Sequence, residues 1–515
     1  MREFRTGIID IGSNTIRLVL YKYNQVEGLY EFGNIKTVAR LRKYIQPNGE
    51  MSEEGIQLLE DTLKSFKRIL NDYDVTDVKA AATAAIRQAK NNQQIITRMK
   101  NETGTSIDLL SGEEEAYFGY LAIAYSMDTP SAVSIDIGGG STEVTLFINK
   151  ELKHSFSFPF GTVSLKQKFV SGEVINEIEK NQLRAYIKTQ FEQHEWIRNA
   201  GYPIIAIGGS ARNVAQIHQQ LLNYPISGVH QYEMSRLNLS EVGLYLSTLT
   251  FEQLKQLDGL SSDRADIIGI ALEVFRELME VVDSGKFQVS KKGLREGLMM
   301  SRVLEGDQIT YNKHNVFEEN ARRITYQYGR TEQEVKTLCS LTEQLYNECV
   351  KLNLLKFQEE HYELLLKAAK VFAIGEFIEL DSSNQHTFYL LANQSIAGLS
   401  HVDRIKLALL ASYKNRDYFR RFSEPFAAWM SREELKVLRD YGALLKFVYA
   451  FNVSKRNIVK TIKLEKSADI IIIKVITQKN AMAEQYQVER QKKHFERVIK
   501  KQVQIQFVSE EGWQN

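Results

Sequence analysis

Cysteine is nearly absent: among 515 residues only Cys339 and Cys349 carry a thiol. Two thiols ten residues apart cannot build a disulfide framework or a zinc site, and their scarcity fits a reducing, cytoplasmic setting. Only six prolines occur, which excludes long proline-rich linkers and predicts short or helical domain joints. No apolar run approaches the roughly 18 residues that span a bilayer. The opening Met1-Arg2-Glu3-Phe4 shows no signal-peptide layout. Neither sign of charge dominates, with 66 Lys and Arg against 64 Asp and Glu. At 43% hydrophobic and 25% charged residues, the chain can bury a core and is not of the disordered class. Its length allows three or four domains.

The charge is nevertheless unevenly spread. Residues 401–515 carry 23 Lys and Arg against 13 Asp and Glu, a net of +10, which leaves −8 for residues 1–400. A basic C-terminal part points to an anionic partner. Its aromatics Tyr413, Tyr418, Phe419 and Phe422 stand at helical spacing. They read as packing residues, so nucleic acid is not the expected partner.

The first 300 residues alternate strand and helix signals. Strands are expected at 5–11, 15–23, 28–38, 75–81, 132–137, 143–148, 203–207 and 287–289. Helices are expected at 52–72, from Ser111, at 173–196, after Gly208, at 263–282 and at 294–303. Glu114, three residues after Ser111, reads as a capping-box partner. From about 310 the pattern is helix after helix until an apolar run at 470–476.

One stretch is echoed. Ile9-Asp10-Ile11-Gly12-Ser13-Asn14-Thr15 resembles Ile135-Asp136-Ile137-Gly138-Gly139-Gly140-Ser141-Thr142, 126 residues later. Each is an apolar strand ending in Asp, a glycine turn, hydroxyl residues and a second strand, which predicts a duplicated α/β domain facing itself across a cleft. Such a turn can converge backbone N–H groups on an anion. Ser13, Thr15, Ser141 and Thr142 add hydroxyl donors. Asp10, Asp136 and Glu143 add hard oxygen ligands, direct or through water, for a Mg²⁺ shared with phosphate. A third turn, Gly208-Gly209-Ser210, opens a helix and offers another anion cradle.

These residues resemble the exopolyphosphatase/guanosine pentaphosphate phosphatase family of the actin-like phosphotransferase superfamily. The resemblance rests on Asp10–Thr15, Thr83-Ala-Ala-Ile-Arg87-Gln, Ser111-Gly-Glu-Glu-Glu115-Ala, Asp136–Glu143, Phe160-Gly-Thr-Val-Ser-Leu, Ile207-Gly-Gly-Ser-Ala-Arg212 and Gly293-Leu-Arg-Glu-Gly297, in that order over residues 1–303. It implies an α/β, duplicated, actin-like (RNase H-like) two-lobed phosphatase, with lobe I at 1–125 and lobe II at 126–303. It implies a hydrolase that removes terminal phosphate from a phosphoanhydride chain. Glu115 would be the catalytic glutamate, acting on the attacking water. Ser13, Asn14, Thr15, Arg87, Gly138 to Gly140, Ser141, Thr142 and Gly208 to Ser210 would hold phosphate, and Arg17 and Arg295 are weaker substrate contacts. The cofactor implied is Mg²⁺, with a monovalent cation such as K⁺ as a second candidate. The partners are inorganic polyphosphate or guanosine pentaphosphate and tetraphosphate (pppGpp/ppGpp), with no membrane, and relatives imply a homodimer.

Longer relatives carry an all-α, HD-type domain in the C-terminal part. Here Phe372 and Ala373 stand where its His and carboxylate are expected, His386 is one remaining histidine, and Tyr413-Lys414-Asn415 has none. The expectation for 310–515 is therefore an all-α HD-like domain with a degenerate metal site. It would hold polyanion through Lys414, Arg416, Arg420 and Arg421. Exopolyphosphatase is the first functional reading. A pppGpp 5′-phosphohydrolase, a non-catalytic polyphosphate or alarmone sensor and a small-molecule kinase are the alternatives. Turnover separates enzyme from sensor, relative kcat/KM separates the two substrates, and ATP-dependent phosphorylation of an acceptor would mark the kinase.

Overall fold

The computed structural model describes residues 4–24, 28–305, 311–467 and 469–509. The joint expected between 303 and 310 and the far end of the expected third domain fall partly outside them. The chain forms two compact units, one of residues 1–224 and 228–316, the other of 225–227 and 317–515.

The first unit holds two sheets. Strands β1 (Phe4–Ile11), β2 (Thr15–Asn24), β3 (Gly28–Val38), β4 (Asp77–Ala82) and β5 (Ile107–Leu109) form the first, ordered β3-β2-β1-β4-β5. Strands β6 (Ala132–Ile137), β7 (Thr142–Ile148), β8 (Glu151–Phe158), β9 (Ile204–Ile207), β10 (Tyr232–Met234) and β11 (Phe287–Val289) form the second, ordered β10-β11-β9-β6-β7-β8. The expected duplication is present over five strands of each sheet, the second sheet adding β10 antiparallel at its edge. In each sheet an antiparallel three-strand meander is continued by two parallel strands. The pairing repeats to the residue, with Asp10 opposite Arg17 in one sheet and Asp136 opposite Glu143 in the other.

Each sheet has its own core, around Ile9, Leu18, Leu63 and Phe66 in the first and Val133, Ile204, Phe275 and Phe287 in the second. A third core lies between them. Helices Gly112–Ala124 and Leu294–Glu305 bury Phe118, Leu121, Leu298 and Met299 against Ile8, Val19 and Ile205. The two helices touch so closely at Gly297 that any side chain there would overlap the Phe118 carbonyl. Burial of this kind stabilises by about 25 cal/mol per Å² of apolar surface, so the shared core fixes one sheet against the other.

One expected helix is corrected where it matters. Residues 263–282 are not continuous: Ser262–Arg264 is a 3-10 turn, and the helix proper is Ile268–Val282. The break places Asp263 and Arg264 in that 3-10 turn, ahead of the helix. The helix expected at 173–196 runs from Glu177 to Glu192, capped by Asn176.

The second unit is mostly helical, its longest helices being Glu332–Lys351, Arg432–Ala450 and Met482–Ile499. Phe447 and Phe495 stack at 4.8 Å between the last two. The all-α expectation is corrected by a three-stranded sheet of β12 (Val459–Ser467), β13 (Ile470–Thr477) and β14 (Gln502–Ser509), ordered β12-β13-β14. Residues 470–476 were expected as a lone strand, but both flanks pair with it, β12 antiparallel and β14 parallel. Phe372 is buried and packs on Tyr449 at 5.3 Å. Arg330 Nη2 donates to the carbonyls of Phe372 and Ala373 and to Glu376 at 3.1–3.3 Å. Arg330 thus ties the backbone at 372–373 to Glu376, with which it forms an ion pair. His386 lies on the helix Ser383–Asn393. No described helix is long and apolar enough to cross a membrane.

Candidate active site

The two glycine turns close in the same way. Gly12 N–H donates to the Thr15 carbonyl at 3.0 Å, and Gly138 N–H donates to the Ser141 carbonyl at 2.9 Å. Each sits at the carboxyl end of a parallel-paired strand, where open α/β sheets bind ligands. The turns face each other: a methyl group on Gly139 would lie 3.4 Å from Cβ of Ser13. Asn14 Nδ2 donates to Asp263 Oδ2 at 3.0 Å. The third turn joins them, since Gly208 opens the helix Gly208–Leu221 with φ +91. A side chain there would be strained in φ and would press on Asp136 Oδ1 at 2.7 Å. Gly208 therefore lets the helix N-terminus come up beside Asp136.

Not every expected phosphate ligand has an uncommitted donor. Thr142 Oγ1 is buried and donates to the Phe160 carbonyl at 2.7 Å, so its hydroxyl is already used. Ser141 and Ser210 are buried within the turns. Arg17 Nη1 donates to Asn34 at 2.9 Å. Arg295 reaches across from its helix to Asp10 Oδ2 at 3.1 Å. Both are expected as weaker contacts; Arg17 commits a donor to Asn34, and Arg295 is ion-paired with Asp10.

Glu115 lies in the first turn of the helix Gly112–Ala124. Its neighbour Glu114 is the cap partner, exchanging hydrogen bonds with Ser111 at 2.8 and 3.1 Å. That leaves Glu115 to turn inward. Arg87 Nη1 donates to Glu115 Oε2 at 3.1 Å and to the Leu110 carbonyl at 2.7 Å. Ser157 Oγ donates to Glu143 Oε1 at 2.8 Å.

The carboxylates are gathered with only partial relief from neighbouring arginines. Burial, then the neighbouring Glu143, pushes Glu115 well above the ordinary glutamate range despite Arg87. Burial raises Glu143 to about 7 and Asp136 to about 6. Burial raises Asp10 as well, with Arg295 opposing it. Such shifts arise where acid–base groups are gathered out of water.

A cation fits this excess of charge, but not as a closed cage. Among the described residues no three His, Cys, Asp or Glu stand together so as to hold a metal alone. Mg²⁺ characteristically takes one or two carboxylates and fills its remaining positions with water and substrate phosphate. Asp136 and Glu143 suit that arrangement, whereas Asp10 is engaged by Arg295.

Sequence reasoning passed over three arginines that the structure brings here. The Arg264 guanidinium lies against Gly209 so closely that a side chain there would overlap it. Arg212 acts electrostatically on Asp136. Arg42 lies against Gly140. Arg212 was visible only as the end of a motif, and Arg264 was hidden by the expected continuous helix.

Comparison with known proteins identifies the family. Residues 20–305 match the Ppx/GppA phosphatase family, and residues 311–494 match its domain III. Exopolyphosphatase 1 of Mycobacterium tuberculosis is 25% identical over 304 residues, covering 58% of this chain and 88% of that protein. The crystal structure of the Aquifex aeolicus Ppx/GppA family member is 25% identical with a TM-score of 0.54, covering 60% of this chain and all of that one. An exopolyphosphatase structure from Cytophaga hutchinsonii shares the fold at 24% identity and a TM-score of 0.53, covering 58% of this chain and 97% of that one. With two matched glycine turns and family matches over most of its length, the chain belongs to the Ppx/GppA phosphatases.

Proposed function

We propose that the chain is an exopolyphosphatase, releasing orthophosphate from the end of inorganic polyphosphate. The observation that carries this reading is Glu115, largely shielded from solvent, held by Arg87 and set beside Glu143. A carboxylate with a raised pKa is a competent base for water near neutral pH.

In this reading the N–H groups of the Gly12 and Gly138 turns, with the helix opening at Gly208, hold the terminal phosphates. Glu115 accepts a proton from the attacking water as its oxygen bonds to the terminal phosphorus. The bridging P–O bond breaks, leaving orthophosphate and a chain one unit shorter. Arg87 orients Glu115 and keeps part of its population ionised. Mg²⁺, when held by Asp136 or Glu143 with the substrate, would supply charge neutralisation for the phosphoryl oxygens. Fixed donors aimed at that charge are where most of the rate enhancement should arise.

The same reading takes in K⁺ as a second cation, a cytoplasmic homodimer, and limits of 1–125, 126–303 and 310–515 for the parts. It treats the second unit as HD-like with a degenerate metal site, holding polyanion by its basic surface. Lys446 supports that last point. It is half-buried, donates to the Lys414 carbonyl at 2.7 Å and stands 3.3 Å from His494. Burial and the cations Lys493, Lys414 and Arg490 lower it to about 8.

The test is phosphate release from long-chain polyphosphate with Mg²⁺. Wild type should be active, and Glu115→Ala should fall by a factor of about 10² or more. A silent wild type would sink the reading. A wild type with higher kcat/KM on guanosine pentaphosphate would replace the substrate and keep the chemistry.

A further inference from the structure

We propose that Arg42 is a further substrate-binding residue, placing its guanidinium on the phosphate held at the Gly138–Gly140 turn. This rests on the phosphoanhydride-hydrolase reading of the cleft.

Arg42 belongs to the short 3-10 turn Leu41–Tyr44 that follows β3. Its backbone N–H donates to the Ser13 carbonyl at 3.3 Å, which ties this turn to the first glycine turn. Its side chain crosses to the second. A methyl group on Gly140 would lie 2.6 Å from Nη1 of Arg42 and 3.6 Å from Oε1 of Gln88. The guanidinium thus lies against the backbone of the phosphate turn at Gly140.

Its partners are too few for its charge. Nη1 donates to Gln88 Oε1 at 2.5 Å, and among the described residues no carboxylate pairs with it. Burial alone lowers its pKa, with no acid opposing the shift. A guanidinium carries five donors, and here one of them is committed to a described side chain, Gln88. The arrangement is satisfied when an anion arrives.

A purely architectural role fits less well. The one acceptor that holds the side chain, Gln88, lies beside Arg87 at the end of the short helix Ala84–Arg87, in the same lobe as Arg42. Arg42 touches Gly140 without a hydrogen bond to it, so it does not strap the two turns together. Adjacent residues of one short helix then serve both partners of the reaction: Arg87 holds Glu115, and Gln88 aims Arg42.

The contact would lie at the chain end, so its loss should affect short and long polyphosphates alike. It is made to the ground state as much as to the transition state, so KM should move more than kcat. A charge-assisted bidentate contact is of the order that changes binding about tenfold or more.

The experiment is calorimetric binding of inorganic tripolyphosphate with Mg²⁺ to the full-length Glu115→Gln protein, which blocks turnover. It is compared with the same protein carrying Arg42→Gln, Arg42→Lys or Lys43→Gln. Lys43 is exposed in the same turn and controls for net charge. Arg42→Gln should weaken binding about tenfold or more, Arg42→Lys should weaken it less, and Lys43→Gln should change it less than about twofold. In the otherwise native enzyme, Arg42→Gln should raise KM for both chain lengths. Unchanged or tighter binding by Arg42→Gln, with an unaltered melting temperature, would overturn the assignment alone. Should Arg42→Gln not fold, an Arg42→Lys protein that binds as tightly as its parent would do the same. If the parent neither binds tripolyphosphate nor, as wild type, releases phosphate from it, the hydrolase reading falls and this contact with it.

Discussion

Glu143 shows how much of this site is stored as electrostatic tension. It is 3% exposed, and its one described side-chain donor outside its own turn is Ser157. Its pKa rises from 4.5 to about 7. A carboxyl that binds its proton more tightly when folded adds stability below its unfolded pKa and loses it as pH rises through the folded value. Asp136, raised to about 6, acts in the same sense. Without Mg²⁺, the melting temperature should therefore fall between about pH 4.5 and 7. Glu143→Gln should flatten that fall, because an amide has no proton to lose. Added Mg²⁺ should flatten it in the wild type by neutralising the same charge. Thermal melts across this range check both statements, and a Glu143→Gln slope equal to wild type would refute the account. The residue types were readable from sequence, since Asp10, Asp136 and Glu143 each lie within three residues of a glycine turn, near a strand end. Their states were not. Arg295 settling on Asp10 joins residues 285 positions apart, and no local spacing encodes that distance.

At the scale of elements, the glycine turns were legible because their chemistry is local. An apolar strand, Asp, glycine and a hydroxyl fix strand, turn and donor within eight residues, and the repeat after 126 residues gives the duplicated sheets. The break at Ser262–Arg264 was not legible, because Ser, Asp and Arg suit a first helical turn as well as a loop. The C-terminal sheet was missed for another reason. Gln502-Val503-Gln504-Ile505-Gln506-Phe507 alternates with the period of a strand, but it follows an eighteen-residue helix in a part read as wholly helical. β14 acquires its partner only through a parallel crossover to β13, which short-range patterns do not announce. The third turn offers a direct test of element placement. Gly208→Ala puts a methyl group at φ +91 against Asp136. The backbone strain should cost about 1–3 kcal/mol and push the helix N-terminus away from the cleft. Chemical denaturation should report the stability loss. Phosphate release should fall further than that loss alone explains, whereas Gly201→Ala, also at positive φ but with nothing within 4 Å, should lose stability and keep activity.

At the scale of the whole molecule, the chain is electrostatically divided, with −8 over residues 1–400 and +10 over 401–515. A net-negative catalytic part does not attract a polyanion by its overall field, so the turns and arginines of the cleft must do that work at short range. The basic part can act over a longer range, and on a polyanion its effect scales with the number of phosphates within reach. Arg416, Arg420 and Arg421 are exposed on the helix Arg416–Ser423. Arg420 lies 3.6 Å from Asp417, but that pair is more than 80% exposed on both sides, so it commits little of the charge. Replacing all three with Gln should raise KM for long-chain polyphosphate and leave tripolyphosphate kinetics unchanged. It should also make long-chain binding less dependent on salt, because fewer counterions are released when fewer cations meet the chain. The expected drop in the slope of log Kd against log salt is about 2–3 for three lost contacts. The pattern distinguishes this surface from Arg42, whose loss should weaken short and long chains together. Equal effects of the triple substitution on both chain lengths would mean that these arginines support the fold or the cleft. No effect on either would leave the positive charge of the second unit without a role in holding substrate.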